Sequence, residues 1–376
     1  MRLSKIAAAA VLGLTGAKAN ATDWDFSGDL RVHLYSENWR DTRSGGTSNT
    51  AESGARLRLR AKRDLGEQCT FQTRLAATVA DEGNDWNAYI RGHRDSGTAV
   101  APGTATLDEF FFKCRTGAST WTVGRFQSNL KLPHMAGRSF DRNQASGINI
   151  GWTDAVSYRR DFGNGWYGEL TAQYNGPDGN GQTLRGPLSF DDSSSRIGYF
   201  GVLGSDAEAG PVLMRALSLT VFPDSLAPDG TGAPARDDYL LAALKLGAGW
   251  DLGDSGRRLV AVGELAHAPN TPSKAAMRIP GNGDVDGWGW QLGTDLVNIF
   301  PKHTMGINYG QSDAGMLLSN DFRENNELFE LRWQYKMSSA LRFEFRYRWR
   351  RELERRIDAA RLQRDQDVRL RFTYKF

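Results

Sequence analysis

The segment Leu341–Arg350 alternates strictly between apolar and charged side chains, and this period of two constrains the fold more than any other feature. Its apolar positions are Leu341, Phe343, Phe345, Tyr347 and Trp349. Because successive side chains of a β-strand point to opposite faces, the segment predicts a strand with one aromatic face and one charged face. Such a strand fits a water-soluble sheet that buries its apolar face, or a membrane barrel whose charged face lines a water-filled interior.

The N-terminus has the pattern of a secretory signal peptide. Arg2 and Lys5 precede an apolar stretch, Ile6–Gly16, and small residues suited to cleavage follow it. We therefore predict a signal peptide over residues 1–21 and one mature domain over 22–376. Cleavage removes three basic residues and no acidic one, which leaves 44 Lys plus Arg against 44 Asp plus Glu. The net positive charge of the whole chain is thus no argument for nucleic-acid binding, and we expect no nucleic-acid partner.

Runs with similar alternation recur along the mature chain and predict about sixteen strands. Most are close to the roughly 9–11 residues that a tilted strand needs to cross a bilayer. The predicted strands lie near 23–36, 54–64, 68–80, 105–115, 118–126, 154–162, 165–174, 194–204, 210–222, 238–252, 257–267, 286–297, 303–311, 325–337, 340–351 and 366–376.

The connections between these strands alternate between tight turns and long polar links. The long links lie near 37–53, 81–104, 127–153, 175–193, 223–237, 268–285, 312–324 and 352–365. Short periplasmic turns, long extracellular loops and an even strand number are typical of bacterial outer-membrane barrels, whereas a soluble β-sandwich has no reason to alternate loop length. The predicted fold is all-β, a transmembrane antiparallel β-barrel of about 16 strands.

In this architecture the chain resembles the sixteen-stranded, trimeric porins of Gram-negative outer membranes. The matching features are the terminal strand VRLRFTYKF, which ends in Phe376 like the C-terminal aromatic signal used for barrel assembly, and the rhythm of eight long and seven short connections. The resemblance spans the mature chain and implies a homotrimer in the outer membrane, inserted by the barrel assembly machinery and surrounded by lipid and lipopolysaccharide. It also implies a water-filled channel narrowed by an inward-folded third loop. The loop has no PEFGG-type stretch, so the porin subfamily stays open.

The third long link, residues 127–153, has both apolar and charged side chains. Its apolar residues, suited to anchor it on a wall, are Leu130, Leu132, Met135, Phe140 and Ile148. Its charged and titratable residues, which we predict to line the pore, are Lys131, His134, Arg138, Asp141 and Arg142. Cation-preferring porins resemble one another in having an acidic loop here, and this net positive loop departs from that pattern. The alternative is an ordinary extracellular loop whose charges are merely solvated.

The strongest charge pattern is a basic wall on strands that become neighbours when the barrel closes. The cations predicted to face inward are Arg31, Arg56, Arg58, Arg60, Lys62, Arg332, Lys336, Arg342, Arg346, Arg348, Arg350, Arg369, Arg371 and Lys375. The acids expected on the same wall are few, namely Asp25, Asp29, Glu330, Glu344 and Asp367, and the others are expected in loops and turns. Such a wall attracts anions and rejects cations. The alternative is that the arginines pair with loop acids and only fill the lumen.

Cys69 and Cys114 are the only cysteines, and both fall at the same end of neighbouring predicted strands. An exported protein meets an oxidising compartment, so we predict a disulfide between them. The five histidines are scattered and form no ligand set with the cysteines, so we expect no metal and no cofactor.

Arg125 departs from the alternation. In STWTVGRFQ it shares the lipid-facing side of its strand with Trp121 and Val123. We expect the strand to end at this point, because the third long link begins directly afterwards.

These patterns predict a channel for passive diffusion of small anionic or neutral solutes, with anion preference. One alternative is a channel selective for phosphate, small carboxylates or oligosaccharides, and another is a barrel adhesin or enzyme. The alternation places no Ser/His/Asp-type group together, so we expect no catalytic residues. We also expect no plug inside the barrel, because no segment beyond the third loop is long enough to form an internal domain.

Overall fold

A computed structural model describes residues 24–80, 89–91, 104–128, 130, 132, 139–141, 150, 152–173, 197–226, 237–253, 256–319 and 321–376. The predicted signal peptide, residues 1–21, lies outside this part of the chain.

All regular elements in the described ranges are β-strands. They are β1 (Trp24–Asp41), β2 (Ser48–Leu65), β3 (Cys69–Ala80), β4 (Tyr89–Arg91), β5 (Thr104–Thr116), β6 (Ser119–Phe126), β7 (Thr153–Gly163), β8 (Trp166–Gln173), β9 (Gly198–Ser205), β10 (Val212–Leu226), β11 (Asp237–Asp251), β12 (Arg258–His267), β13 (Trp288–Val297), β14 (His303–Ser312), β15 (Asn326–Lys336), β16 (Leu341–Glu352) and β17 (Arg364–Lys375). Among the described residues, no helix has the length and apolar character that crossing a membrane requires.

The sheet closes on itself because β1 pairs with both β2 and β17. Leu30, for example, lies opposite Leu57 on one side and Tyr374 on the other. The three-residue β4 pairs parallel with β5, and the other sixteen strands form a closed antiparallel barrel in chain order. Closure leaves none of those sixteen strands as an open edge. This confirms the predicted all-β barrel.

The first connection differs from the expectation. The pattern predicts a long link over 37–53, but β1 continues to Asp41 and β2 begins at Ser48, so only 42–47 connect them. Apart from Trp39, these extensions consist of polar or small residues, so no apolar alternation reveals them. Ladder hydrogen bonds between the two strands still form. We call the end of the barrel with the long links the loop end, and the opposite end the turn end.

The outer face of the barrel is apolar and exposed, whereas charged side chains are buried inside. Leu170 is 68% exposed and Leu292 is 63% exposed, while Arg346 and Arg350 are 1% and 2% exposed. A continuous apolar belt of this kind is unfavourable in water and suits a lipid environment. The outward aromatics and inward arginines of Leu341–Arg350 therefore follow the predicted alternation.

An apolar core fills part of the barrel interior near the loop end. It combines inward-facing residues of β10, β11, β12 and β15 with residues from two long links and from the third loop. Its members include Phe222, Tyr239, Leu241, Ala266 and Leu328 from strands, Met277, Ile279, Val285, Met316, Leu317 and Phe322 from the links, and Phe140 from the third loop. The Tyr239 hydroxyl donates to the Gly315 carbonyl at 2.9 Å and accepts from the Leu317 amide at 3.0 Å.

We expected no segment beyond the third loop to form an internal domain, but this inner core, which was not expected, consists of two shorter links that pack into the interior. The links 268–287 and 313–325 pack inward together, although neither forms a domain alone. The sequence signal was weak because their apolar residues have no regular period. The core therefore restricts the interior on the β10–β15 side of the barrel.

A disulfide joins Cys69 of β3 and Cys114 of β5 near the turn end. The two residues lie directly opposite each other in the register, and their Cα atoms are 4.0 Å apart. The link ties together the two strands that flank residues 81–103. Constraining the unfolded chain in this way stabilises the barrel.

Phe322→Ala tests whether the inner core stabilises the barrel. Phe322 has no exposed surface, and deleting a buried aromatic ring costs about 3–5 kcal/mol. We expect the folded form to convert to the unfolded form at a clearly lower temperature, measured by heat-dependent mobility on SDS gels. Phe300→Ala, in the β13–β14 turn and 63% exposed, is the control, and an equal loss in both variants would contradict a stabilising core.

Candidate functional site: the inward-facing basic wall and the third loop

The basic wall is the inward face of β15, β16, β17, β1 and β2. Cross-strand register places arginine directly opposite arginine at several positions. Arg346 lies between Arg332 and Arg369, and Arg31 lies opposite Arg56. Like charges in this arrangement are destabilising. The wall therefore needs counter-charges close to each guanidinium.

Carboxylates on the same strands supply much of this counter-charge. Asp367 accepts from Arg346 at 2.8 Å and from Arg348 at 2.6 Å. Arg350 contacts Asp367 at 3.1 Å and Glu37 at 3.2 Å. At these positions the wall is a dense ion-pair network rather than a free cationic surface.

The pattern continues towards the turn end and into the neighbouring strands. Glu344 accepts from Arg369 at 2.8 Å and from Arg371 at 2.6 Å. Arg332 donates to Asp295 of β13 at 2.7 Å. All of these inward positions agree with the predicted alternation.

The expectation that few acids lie on this wall is wrong. Glu37 and Asp365 also face inward, and each approaches both Arg350 and Arg323. They were missed because β1 extends to Asp41 and β17 begins at Arg364, beyond the predicted strand ends. A loop acid, Asp321, adds a further contact to Arg348 at 2.7 Å, as the alternative of loop pairing anticipates.

A β-bulge in β5 turns two successive carboxylates inward. The register shifts so that Arg74 lies opposite Glu109 while the next residue, Leu75, lies opposite Leu107. Asp108 is the extra residue, and both it and Glu109 are buried. A bulge of this kind breaks the period of two, so alternation could not locate these acids.

The bulge carboxylates pair with the arginines of β2 and β3. Arg58 contacts Asp108 at 2.9 Å, and Arg74 contacts Asp108 at 2.8 Å and Glu109 at 2.7 Å. Arg60 is farther from Glu109, at 3.7 Å, and its side chain is 40% exposed. Arg56 contacts Asp29 at 3.4 Å.

Three inward cations at the turn end differ from these paired arginines. Lys336 lies opposite Arg342 across β15 and β16, and Lys375 is near the end of β17. All three are exposed, and within the described ranges none forms an ion pair. The positive charge most accessible to a solute on this wall is therefore at the turn end.

The described residues of the third loop include several that are buried inside the barrel, as predicted, and two of them lie against strands on its opposite side. Leu132 is buried against Val260 and Val262, two inward-facing residues of β12. Phe140 is buried in the inner core. Both residues therefore act as the apolar anchors that the sequence predicts, and Leu130 packs partly buried near β8–β10.

Asp141 holds the loop through a buried polar network. Its carboxylate accepts from Ser139, Ser218 of β10 and the Lys245 ammonium of β11. Burial alone would raise the pKa of Asp141, but the Lys245 charge and these hydrogen bonds outweigh burial and hold its pKa below the usual value. Asp141 is therefore an anchor inside the network, and it is not exposed to the lumen as a pore-lining residue would be.

Glu264 of β12 extends this network to the next strands. It accepts from the Ser139 hydroxyl at 2.7 Å, the Phe140 amide at 3.1 Å and Gln291 at 2.6 Å, and it lies 3.4 Å from Lys245. The Lys245 ammonium thus lies between two carboxylates, that of Asp141 in the third loop and that of Glu264 in β12. The other predicted residues of the third loop lie outside the described residues, namely Lys131, His134, Met135, Arg138, Arg142 and Ile148.

An ion pair and the end of its strand explain how Arg125 is tolerated on the lipid-facing side. Its guanidinium donates to both carboxylate oxygens of Asp154, at 2.7 and 3.0 Å, and lies 4.3 Å from the Trp152 ring centroid. β6 ends one residue later, at Phe126, as expected. Gly124, with φ of +124°, distorts the strand directly before it.

Among the described residues, no group of three or more His, Cys, Asp or Glu side chains is arranged to hold a metal ion.

Asp141→Asn tests the anchor of the third loop. The variant leaves the buried Lys245 with Glu264 alone, and removing one partner of a buried ion pair costs about 3–5 kcal/mol. We expect noisier single-channel currents and a lower unfolding temperature. Asp251→Asn, whose side chain is 81% exposed at the turn end, is the matched control, and unchanged currents in Asp141→Asn would contradict the anchoring role.

Comparison with known proteins gives structural matches only. No protein-family model and no curated protein matches the sequence. OprB of Pseudomonas putida has a TM-score of 0.62 at 13% identity, with 97% of each chain covered. The anion-selective porin of Comamonas acidovorans has a TM-score of 0.54 at 11% identity, and the outer-membrane channel DcaP of Acinetobacter baumannii one of 0.55 at 14% identity. Each covers 94% of this chain, and the coverage of their own chains is 99% and 97%. The chain has the fold of outer-membrane porins.

Proposed function

We propose that this protein is a channel of the Gram-negative outer membrane for passive diffusion of small hydrophilic solutes, with preference for anions. The closed barrel, its apolar belt and its polar interior support a channel in a membrane. The structural likeness to porins supports the outer membrane as the location. In this assignment the loop end faces the cell exterior and the turn end faces the periplasm.

The accessible cations at the turn end are the observation that most directly supports anion preference. Lys336, Arg342 and Lys375 face inward, are exposed, and have no ion pair among the described residues. Two unit charges 4 Å apart interact by about 1 kcal/mol in water and by more where protein lowers the local dielectric constant. An anion that passes this mouth is therefore attracted, and a cation is repelled.

The paired arginines have a different role in this proposal. Buried ion pairs such as Arg346–Asp367 keep the wall polar and rigid but present little net charge to a solute. The predicted selectivity residues Arg56, Arg58, Arg348, Arg369 and Arg371 are in similar ion pairs. Arg60 has a partly exposed side chain and a longer contact to its carboxylate partner. We therefore expect it to attract anions as the cations at the turn end do.

The remaining assignments follow from the same proposal. The protein would act as a homotrimer, in keeping with the trimer form of OmpT of Vibrio cholerae, a protein of similar fold. It would have no catalytic activity. Surrounding outer-membrane lipid, lipopolysaccharide and the barrel assembly machinery would be its partners. Phe376 at the end of the last strand fits the assembly signal, and its amide and carbonyl both bond to Gly28 of β1.

A second candidate is a channel selective for phosphate or small carboxylates. The exposed cations Lys336 and Arg342, which lie directly opposite each other, favour it, because ammonium and guanidinium groups bind such anions. A selective channel would show saturation or block of chloride current by phosphate or succinate, whereas a general anion-preferring channel would not.

Lys336→Gln/Arg342→Gln tests the proposed origin of selectivity. Loss of the mouth charges should reduce the chloride-to-potassium permeability ratio, by about fivefold for each 1 kcal/mol of attraction lost at close approach in water. The measurement is the reversal potential of single channels in a planar bilayer under a KCl gradient. Arg160→Gln is the control, because Arg160 is exposed at the same end but lies on the outer face.

Two outcomes would contradict parts of the proposal. An unchanged reversal potential in the double variant would mean that the mouth cations do not set selectivity. Absence of conductance from folded wild-type protein would contradict the channel itself. Arg346→Glu and Arg348→Glu are poor tests of selectivity, because each would replace a cationic partner of Asp367 by a second carboxylate and impair folding.

A further inference from the structure

The disulfide between Cys69 and Cys114 lies on the outer face of the barrel, near the turn end. Cys114 shares the outward side of β5 with Phe112, which is 46% exposed, and lies directly opposite Trp121 of β6, which is 48% exposed. We propose that a periplasmic dithiol–disulfide carrier protein forms this bond before the barrel inserts, and that the bond then selects the register of β3 and β5. The inference rests on the proposed outer-membrane location.

Apolar side chains flank the bond on three sides within the sheet. Across the strands, its neighbours are Leu65 of β2 and Trp121 of β6. Along the strands, the next outward residues are Phe71 and Phe112, whose ring centroids are 5.0 Å apart. Since this face contacts lipid in a membrane, the inserted barrel presents the two sulfur atoms at the edge of the apolar belt.

The chemistry of bond formation needs water and space beside the sulfur atoms. One cysteine thiolate attacks the carrier disulfide, which forms a mixed disulfide and releases a carrier thiolate. The second cysteine thiolate attacks the cysteine sulfur of the mixed disulfide, which forms the Cys69–Cys114 bond and releases the second carrier thiolate. Two electrons pass to the carrier, and its two thiolates take up the two protons that the cysteines lose. Apolar surroundings disfavour a thiolate, so the unfolded chain in the oxidising periplasm is the better substrate.

β3 and β5 have a second possible register, because their observed pairing contains a bulge. The turn-end half pairs Cys69 with Cys114, and the loop-end half, beyond the bulge, pairs Leu75 with Leu107. A regular ladder that kept the loop-end pairing throughout would place Cys69 opposite Lys113. Such a ladder would avoid the bulge, which leaves one residue unpaired.

This slipped register would exchange the two faces of the turn-end half of β5. Phe110 would face the interior and Glu109 would face lipid. Glu109 would also lose Arg74, which it contacts at 2.7 Å in the observed register. The bond excludes the slipped register, because Cys114 would lie on the inward face while Cys69 stays on the outward face.

The chain connection does not fix the register of β3 and β5. The β2–β3 and β5–β6 pairs are joined by tight turns, 66–68 and 117–118, whereas residues 81–103 separate β3 from β5. A tight turn sets the register of its hairpin, but a long link imposes no such constraint. The disulfide therefore supplies at the turn end the constraint that a tight turn supplies for the neighbouring strand pairs.

Pulse–chase labelling of the full-length chain in cells measures the order of oxidation and folding. Folded and unfolded chains are separated on unheated SDS gels, and each band is then denatured with a maleimide–polyethylene glycol that adds mass to every free thiol. We expect the disulfide to appear in the unfolded chain first, so that folded barrels have no free thiol at any time. Folded barrels that have free thiols and acquire the bond later would overturn the inference.

The variant K113C/C114S tests the same order by a trap. Its two cysteines lie on opposite faces in the observed register, so a bond between them is compatible only with the slipped register. If oxidation precedes folding, the chain accumulates as an oxidised, unfolded form, and dithiothreitol in the medium restores the folded barrel. A variant that folds with two free thiols would contradict oxidation before insertion.

The variant C69S/C114S tests the selection of register. We expect its folded barrel to appear about tenfold more slowly than that of wild type, because neither loop closure nor the register is then assisted. Assembly at the wild-type rate, with only a lower unfolding temperature, would contradict a role in register. Cell fractionation separates the two proposals, since a folded barrel in the outer-membrane fraction with free thiols contradicts only the order, whereas a folded barrel in another fraction contradicts the location.

Discussion

The barrel depends on the pairing of each buried guanidinium with a carboxylate. Arg346, Arg348 and Arg350 are nearly inaccessible on the inward face of β16, and Asp367 contacts all three. Removing a charge from water costs free energy unless a partner and hydrogen bonds compensate. The inward arginines of β16 therefore require carboxylates on the neighbouring strands. The extension of β1 and β17 beyond the apolar belt brings Glu37 and Asp365 to the same network. The stability of the barrel therefore depends on the same ion pairs that set the charge of its interior.

The interior has two sides, one apolar and one charged. On the β10–β15 side, apolar residues of two links and Phe140 form a dry core, and the third loop is held there by Lys245, Asp141 and Glu264. On the side of β15–β17 and β1–β5, the interior is a network of ion pairs. A low-dielectric core next to this network excludes water from one side, so solutes would pass along the charged side. The asymmetry follows from which strands the long links pack against.

Alternation of side chains was sufficient to predict the barrel and most strand bounds, because an apolar outer face requires the period of two in every strand. β12, predicted over 257–267, spans Arg258–His267. Three features were out of reach for a physical reason. The bulge at Asp108 breaks the period, the outer parts of β1 and β2 have no apolar face, and the inner core forms from links whose apolar residues have no period. The alternation therefore predicts the cations of the candidate site but misses most of the acids that pair with them.

This difference changes how selectivity should be derived from such a sequence. A count of inward arginines overstates the field that a solute meets, because Asp367 and Glu344 together neutralise much of the charge on β16 and β17. The remaining field comes from exposed cations such as Arg342 at the turn end. Exposed charges are screened over a Debye length of about 10 Å at 0.1 M salt and about 3 Å at 1 M, whereas buried pairs are screened much less. Anion preference should therefore weaken as salt rises while the folded barrel is unaffected, and a preference that persists at high salt would place its origin deeper, among the paired arginines.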